Sequence, residues 1–281
     1  MTYVKKTAAA VFSFLLLLLT LILPRQSAAG VWQGAVTACT AALPSLFPAL
    51  VLAKLLASSR LPGGRFLPLF LGLVCGFPVG AVTVSEMVSQ GAVDQKCGNR
   101  LLFCCCNTGP AFIIGYCGAV VLRNVRAGIL LYGMECSVAL ILYLLLVPNQ
   151  KSDWRKERSL SLSDAITSAV KSFLTIAGCV IFFSCISTLL LTVIPLHGNL
   201  EQALIRTALE ITGGMADASR LPFSAAFSLC AAGVGWAGVS VCLQSAGPIR
   251  NSGLSLRWYL AGRCAFALIL FLLSLFAKKL L

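Results

Sequence analysis

The amino-acid sequence predicts an all-α polytopic membrane protein. Of its 281 residues, 58% are hydrophobic and only 11% are charged, and the mean hydropathy is +0.92. Apolar runs long enough to span a bilayer, roughly 20 residues, recur along the whole chain. A chain of this length with short loops has room for about eight or nine membrane elements, and no separate soluble domain is expected.

The first predicted element is an N-terminal membrane helix within residues 1–29. Its apolar run extends from Ala8 to Leu23, after Lys5 and Lys6, and small residues follow at 27–29, a pattern that signal peptides share. Because the run is long enough to span and every later segment is also apolar, we expect an uncleaved signal-anchor-like helix with its N-terminus in the cytoplasm. Cleavage is the alternative.

The remaining chain divides into two sets of apolar segments joined by a basic linker. The first set, 30–149, has segments near 31–59, 66–88, 98–122 and 127–147, and the second, 161–281, has segments near 165–195, 203–222, 224–248 and 257–279. The linker, 150–160, contains Lys151, Arg155, Lys156 and Arg158, which predicts a cytoplasmic location. The net charge of +13 comes from 22 Lys and Arg grouped in such short clusters, so we expect no nucleic-acid partner.

The two sets resemble each other, which predicts two repeats. CSVALILYLL at 136–145 matches CAFALILFLL at 264–273, AVT at 35–37 matches AIT at 165–167, and Gly109-Pro110 matches Gly247-Pro248. The offsets are similar, at about 130 to 140 residues, and the matches occur in the same order. Internal repeats of this size are characteristic of secondary transporters, which bind their substrates at the interface between repeats.

Helix breakers predict that the segment 66–88 does not cross the membrane. Gly72, Gly76, Pro78 and Gly80 interrupt its apolar run, so we expect a re-entrant hairpin there. The first repeat then crosses three times and the second is inverted relative to it. Arg250 and Arg257 fall on the cytoplasmic side in this topology, whereas Lys278 and Lys279 fall outside, against the usual charge bias.

Broken segments within the membrane indicate the site, because their unpaired backbone groups are tolerated only where protein or a water-filled cavity satisfies them. They are CGFPVGA at 75–81, NTGP at 107–110, EITGG at 210–214 and GVGWAGVS at 233–240. Helix N-termini at such breaks suit a carboxylate. The alternative is that the glycines only allow close helix packing. The predicted substrate-binding residues are Gly76, Pro78, Gly80, Asn107, Thr108, Pro110, Glu210, Thr212, Gly213, Gly214, Ser240 and Gln244.

Ionisable residues within the apolar segments add to this site hypothesis. Glu210 is expected to face a cavity or a partner, since a charge inside a membrane segment is costly. Glu135 and Arg263 occupy equivalent positions in the two repeats and either form a charge pair or lie in loops. Asp217 and Arg220 are expected to flank the tip of a hairpin near water.

No motif of an enzyme is found. The sequence has no phosphate-binding glycine loop, no dinucleotide-binding pattern, no HExxH and no nucleophile elbow, so we expect no catalytic residues. Most of the thirteen cysteines lie in apolar runs without a CxxC pair, which is typical of packing residues. Neither a cofactor nor a bound metal is therefore expected.

Several motifs carry a resemblance to a known family. They are PSLFP at 44–48, CGFPVGA at 75–81, NTGP at 107–110 with FIIG at 112–115, and GVS at 238–240 with Gln244. In these motifs, over nearly its whole length, the chain resembles the sporulation integral membrane proteins of the YlbJ or SpoVV type, which carry a nucleoside-recognition Gate domain. The chain is shorter than those proteins, which leaves its subfamily and substrate open.

The resemblance implies a multi-pass protein of a bacterial cell membrane, specifically the outer forespore membrane, that moves dipicolinic acid toward the spore during sporulation. The leading hypothesis is therefore a transporter or facilitator of a small organic anion, with the lipid bilayer as its surroundings and a coupling ion left open. Two alternatives remain: a nucleoside or nucleobase permease, and a non-transporting membrane scaffold of a sporulation or envelope complex. The sequence makes no prediction of the oligomeric state.

Overall fold

The computed structural model describes residues 2–58, 64–148 and 160–281, and these ranges are helical without any strand, which confirms the all-α prediction. The described α-helices are α1 Thr2–Ile22, α2 Pro24–Thr37, α3 Leu43–Ser58, α4 Leu67–Cys75, α5 Val79–Ser89, α6 Gln95–Cys104, α7 Val125–Leu146, α8 Leu162–Val193, α9 Asn199–Leu209, α10 Ile211–Ala218, α11 Phe223–Trp236, α12 Gly238–Asn251 and α13 Leu256–Ala277. Ala38–Ala42 and Ala111–Val121 are π-helical, and Gly64–Phe66 and Lys278–Leu280 are 3₁₀ turns. Residues 150–159 of the predicted linker lie outside the described ranges.

Several helices are long and apolar enough to cross a membrane. In the described chain there are four, Val125–Leu146, Leu162–Val193, Phe223–Asn251 and Leu256–Leu280, or up to five if a pair bent by 103° near Leu23 is one span. Shorter apolar helices cover Leu46–Leu56, Gly64–Cys75, Val79–Ser89 and Ala111–Val121. The multi-pass character is therefore consistent with the prediction, whereas eight or nine membrane elements and their inverted arrangement stay predictions.

A long helical arm packs along α8. It runs from α2 through the π-helical turn into α3, and it begins at Pro24, earlier than the predicted start near 31, because proline suits the first turn of a helix. A Cβ atom on Gly30 would lie 2.8 Å from the Cα of Cys185, and one on Gly34 would lie 2.6 Å from the Cα of Ile181. Going from Gly30 to Gly34 along α2, the contacting residue on α8 goes from Cys185 back to Ile181. The arm and α8 are therefore antiparallel.

Helices α4 and α5 form a hairpin, here called hairpin 1. Its tip is Gly76-Phe77-Pro78, and Gly76 has φ +79°, which favours glycine. Gly72 and Gly80, on opposite sides of the tip, face each other and both pack on the carbonyl of Cys105. The predicted turn within 66–88 is therefore present, while its re-entry into a membrane stays a prediction.

Helices α9 and α10 form a second hairpin, here called hairpin 2. The chain turns at Glu210, whose extended backbone (φ −147°, ψ 117°) separates the two helices. Gly214 of α10 packs closely on Thr207 of α9. Asp217, at the base of this hairpin, forms ion pairs with Nε of Arg206 (3.3 Å) and with Nη1 of Arg220 (3.6 Å). Arg220 is exposed, as expected, whereas Asp217 is buried, so the expectation that it lies near water is wrong for Asp217.

Each hairpin is followed by an interrupted helix and then by a long helix. The first interruption, 105–110, separates α6 from the π-helix Ala111–Val121, and the second is Ala237, with φ 69°, between α11 and α12. Both lie where helix breaks were predicted. Gly247 and Pro248, however, lie inside α12, so their match to Gly109-Pro110 does not mark a break. The break in this repeat lies at Ala237, whose backbone is in the left-handed helical region.

The ends of α7 and α13 show that these two helices run in opposite directions. They pack against each other, and the start of α7, with Arg123 and Arg126, lies beside Leu280 at the end of α13. At the other end of α7, Nη1 of Arg65 donates to the carbonyl of Pro148 (3.1 Å). The segments that the sequence matched at 136–145 and 264–273 are thus antiparallel neighbours.

Hairpin 1 leads to a prediction on stability. In Gly72→Ala, the new methyl group meets the Cys105 carbonyl, and we expect the free energy of unfolding to fall by about 1–3 kcal/mol through overpacking. The matched control is Gly133→Ala on α7, where a Cβ atom meets nothing within 4 Å, and there we expect no loss and a gain of up to about 1 kcal/mol. Thermal unfolding in detergent measures both, and equal melting temperatures for the two variants would contradict this packing.

Candidate functional site

A cavity of about 660 Å³ lies where the interruptions of the helices meet. One wall is aliphatic and comes from α3 and α8. The opposite wall contains the tip of hairpin 1, the break after α6, the tip of hairpin 2 and one face of α12. Its volume falls in the range of roughly 300–1,000 Å³ that small-molecule sites have in proteins.

Five of the predicted site residues line this cavity, namely Gly76, Thr108, Glu210, Thr212 and Gln244. They come from both hairpins, from the first interrupted helix and from α12, so residues that lie more than 160 positions apart in the sequence meet here. Their role in binding a substrate stays a prediction.

Three further predicted residues, Pro78, Gly80 and Pro110, shape the backbone beside the cavity. Pro78 precedes the first residue of α5, and Pro110 precedes the π-helix Ala111–Val121. Gly80 allows α5 to touch the backbone of Cys105. These residues therefore fix where the helices begin, and they do not line the described cavity.

The other four predicted residues contact neighbouring protein groups and are not among the residues that line the cavity. Nδ2 of Asn107 donates to the carbonyl of Cys104 (3.0 Å), and Oγ of Ser240 accepts from Nε2 of Gln244 (3.3 Å). The Gly213 amide donates to Glu210, and Gly214 packs on Thr207. For Gly80 and Gly214 the alternative interpretation, close helix packing, therefore describes the observed contacts.

Glu210 caps its own helix. Its Oε1 accepts from the amide of Thr212 (2.9 Å) and its Oε2 accepts from the amide of Gly213 (2.7 Å), so both carboxylate oxygens satisfy N–H groups at the start of α10. The sequence pattern predicts a substrate carboxylate at helix N-termini of this kind. At α10 that position is already occupied by the protein's own carboxylate.

The two interrupted helices are each held by a charged residue of the long helix that follows. Oε1 of Glu135 on α7 accepts from the Thr108 amide (2.8 Å), and Nη1 of Arg263 on α13 donates to the Gly235 carbonyl (3.3 Å). Oγ1 of Thr108 also donates to the Val234 carbonyl (3.2 Å), which joins the two breaks directly. Each charge thus satisfies a backbone group that the break leaves without a helical partner.

Glu135 and Arg263 are both fully buried inside helices, at 0% exposure, so they do not lie in loops. They interact electrostatically, as the sequence proposed for a charge pair. No ion pair within 4.0 Å joins these two described residues, however. The guanidinium of Arg263 lies 5.3 Å from the ring centroid of Phe77 and 4.6 Å from that of Phe266.

Aromatic side chains of the cavity were not predicted as site residues. Phe70, Phe77, Phe112 and Tyr116 all line it, and the Tyr116 hydroxyl donates to the Thr212 carbonyl (3.3 Å), which links the π-helix to hairpin 2. Phe77 could have been found from its place inside the CGFPVGA motif. The other three have no distinguishing signal among the many apolar residues of their segments.

The charge of the cavity lining is low. Among the described lining residues there is no lysine or arginine, and Glu210 carries the only formal charge. Two helix N-termini lie next to the lining: Gly76 and Phe77, which line the cavity, directly precede the N-cap of α5, and Gly109 and Ala111, which also line it, flank the N-cap of the π-helix. Backbone N–H groups at these N-termini carry partial positive charge, so the attraction for an anion comes from the main chain.

The cap formed by Glu210 leads to a second prediction on stability. In Glu210→Ala, α10 loses both bonds at its N-terminus, and we expect the free energy of unfolding to fall by about 1–2 kcal/mol. Glu210→Gln keeps an acceptor oxygen and loses less. The control Glu201→Ala removes an exposed carboxylate of α9 and changes stability by less than about 0.5 kcal/mol. Unfolding followed by tryptophan fluorescence measures all three, and a loss in the control as large as in Glu210→Ala would contradict the cap.

Comparison of the chain with protein-family models, with curated proteins and with solved structures finds no match. The resemblance to the YlbJ and SpoVV proteins therefore stays a prediction that rests on the sequence motifs. What the cavity binds has to follow from its size, its aromatic lining and its polar groups.

Proposed function

We propose that the protein is a membrane transporter or facilitator of a small organic anion, with dipicolinic acid as the most specific candidate. The observation that carries this proposal is the cavity itself, because interrupted backbone from three separate places, the two hairpin tips and the break after α6, converges on it between long apolar helices. Interrupted helices inside a membrane are typical of transporter binding sites. The sequence offers no ATP-binding motif, so a gradient has to drive net transport.

The lining suits a planar aromatic solute. Phe70, Phe77 and Phe112 offer flat apolar surfaces, on which an aromatic ring packs in offset or edge-on geometry. Thr108, Thr212 and Gln244 add hydrogen-bonding groups on the same cavity surface. Dipicolinic acid combines an aromatic ring with two carboxylates, so it matches both kinds of surface.

Two helix N-termini support an anion. Those of α5 and the π-helix lie next to each other, since a Cβ atom on Gly76 would be 2.7 Å from the amide nitrogen of Gly109. At α10, by contrast, Glu210 already caps the helix, and the positive charge of Arg206 lies within its electrostatic reach. We therefore place the substrate carboxylates at the α5 and π-helix termini and away from hairpin 2.

A nucleoside or nucleobase is the second candidate, and one observation favours it. The described lining residues include a carboxylate and an amide, Glu210 and Gln244, but no cationic side chain. A neutral base with several N–H donors would pair with such groups without charge repulsion. A direct comparison of the two substrate classes decides between the candidates.

We further propose the inverted topology and a location in the outer forespore membrane of a sporulating bacterium. The antiparallel contact of α7 with α13 supports inversion, because these helices are the matched segments of the two repeats. Each repeat also has the same order of hairpin, interrupted helix and long helix. The forespore membrane follows only from the sequence resemblance.

Transport can be tested with purified protein in liposomes. We expect saturable uptake of dipicolinate, and in Gln244→Ala we expect KM to rise by about 10–100-fold, because a hydrogen bond to a charged ligand contributes about 1.5–3 kcal/mol. Glu210→Gln and Asn107→Ala should also reduce uptake at equal incorporation. The control Ser137→Ala changes an exposed residue of α7, whose hydroxyl bonds its own helix, and it should transport like the wild type.

The other outcomes separate the remaining functions. Saturable uptake of nucleosides but not dipicolinate would support the permease and exclude the anion transporter. A correctly inserted protein that moves neither class, with variants that leave its cellular phenotype intact, would support the membrane scaffold.

The orientation of the chain gives a further prediction. Helix α8 separates the basic segment 150–159 from the turn at 194–198, so epitope tags inserted at these two places should lie on opposite sides of the membrane. Because basic loops stay in the cytoplasm, we expect antibodies on intact, non-sporulating cells that carry the protein in their cell membrane to bind the tag at 194–198 only. Binding to the tag at 150–159 in unbroken cells would reverse the proposed orientation.

A further inference from the structure

The buried charges of Glu135 and Arg263 do more than the helix breaks require. One carboxylate oxygen of Glu135 is enough to accept from Thr108, and its Oε2 has no hydrogen-bond partner among the described residues. Nη1 of Arg263 is enough to reach Gly235, and its Nε and Nη2 are likewise without a partner there. A neutral amide at each position would satisfy the same backbone groups.

Neither charge is stable in this fully buried environment without a compensating opposite charge. A single ionised group inside a membrane bundle is costly, and such groups persist by compensating one another or by facing a cavity. Here the two charges compensate electrostatically without closing an ion pair. Removal of the negative charge from Glu135 therefore leaves Arg263 as a buried cation that needs another anion.

The pair lies directly behind the cavity wall. Glu135 bonds Thr108 (2.8 Å) and Arg263 stacks on Phe77 (5.3 Å), and Thr108 and Phe77 both line the cavity. Phe77 is also the central residue of the hairpin 1 tip. One layer of residues therefore separates both charges from anything that the cavity binds.

Glu135 is the one carboxylate among the described ionisable groups that surround it. Within its electrostatic reach, α13 contributes Arg263, the π-helix contributes Cys117, and α7 itself contributes Tyr132 and Cys136. Cys230 of α11 lies beside Cys117. Helices α4 and α6 also contact α7; α4 carries Cys75, α6 carries Cys97 and Cys104, and Cys105 and Cys106 follow in the break after α6. A buried carboxylate takes the neutral form when no opposite charge compensates it, so Glu135 is the group of this region that can take up a proton.

We propose that the substrate anion and a proton bind together, with Glu135 as the proton site and Arg263 as the shared counter-charge. This inference rests on the proposed anion transport. In the empty protein, the Glu135 carboxylate compensates Arg263. When an anion enters the cavity, its charge compensates Arg263, and Oε2 of Glu135 takes up a proton from water that reaches it past Thr108. The proton leaves the carboxyl group when the anion dissociates, so one proton accompanies each anion.

Calorimetry of binding tests the coupling directly. Dipicolinate is titrated into the full-length protein in detergent, in pairs of buffers with different ionisation enthalpies, across a range of about pH 6 to 9 where the ligand stays a dianion and carboxylates can change protonation. We expect the wild type to take up close to one proton per anion at some pH in this range. Glu135→Gln, which keeps an acceptor for the Thr108 amide, should bind dipicolinate without proton uptake at any pH.

Uptake into liposomes gives the second readout. With one coupled proton, an inward pH gradient raises the equilibrium accumulation of the anion by about tenfold per pH unit, and Glu135→Gln should lose this response while still exchanging dipicolinate across the membrane. The matched control Glu201→Gln removes an exposed carboxylate of α9 and should keep both the proton uptake and the gradient response.

Each contrary result has a distinct meaning. Binding by the wild type without proton uptake, or a Glu135→Gln variant that keeps its proton stoichiometry, would overturn the coupling and leave anion transport intact. A wild type that binds no dipicolinate would overturn the anion transporter, and this inference with it. If the pair were only structural, Glu135→Gln would shift the melting temperature and leave the proton count unchanged.

Discussion

The architecture depends on one constraint, which is that a backbone interrupted inside a membrane must find partners for its N–H and C=O groups within the protein. This chain meets the constraint in two ways. The hairpin tips use local contacts, with Gly76 at a positive φ in hairpin 1 and the carboxylate of Glu210 across the start of α10 in hairpin 2. The interrupted helices instead use Glu135 and Arg263 from neighbouring long helices.

The cavity follows from these solutions. The partner of the first interruption, Glu135, comes from behind, from α7, so the front of this interruption is free to line a space facing α3 and α8. The second interruption is not among the described lining residues, and the face of α12 that follows it lines the space instead. The arm contributes aliphatic groups and Thr37, so the carboxylate and amide groups of the lining come from the opposite surface. The contacts that satisfy the interrupted backbone therefore also determine where the cavity lies.

The sequence predicted the part of this arrangement that local chemistry determines. Glycine and proline at 72–80 and 107–110 indicated the turns, and an apolar content of 58% indicated the membrane helices. Proline alone was a weaker indicator, since Pro248 is accommodated inside α12, whereas the second break falls at Ala237, within the predicted segment 233–240. The self-capping of Glu210 and the lining by Phe112 and Tyr116 depend on how helices pack, which no short pattern encodes.

The opposite charges of Glu135 and Arg263 are explained by what each break lacks. At the first break the group to be satisfied is the N–H of Thr108, which needs an acceptor, and at the second it is the C=O of Gly235, which needs a donor. A carboxylate can only accept and a guanidinium can only donate, so the sign of each charge matches the backbone group that its break leaves unpaired. The opposite charges also offset each other, because the two long helices pack against each other and both groups are fully buried. Under the proposed coupling, a neutral pair that is not closed into a salt bridge exchanges one partner for an anion in the cavity, so the two residues that hold the broken backbone also respond to the charge of the substrate.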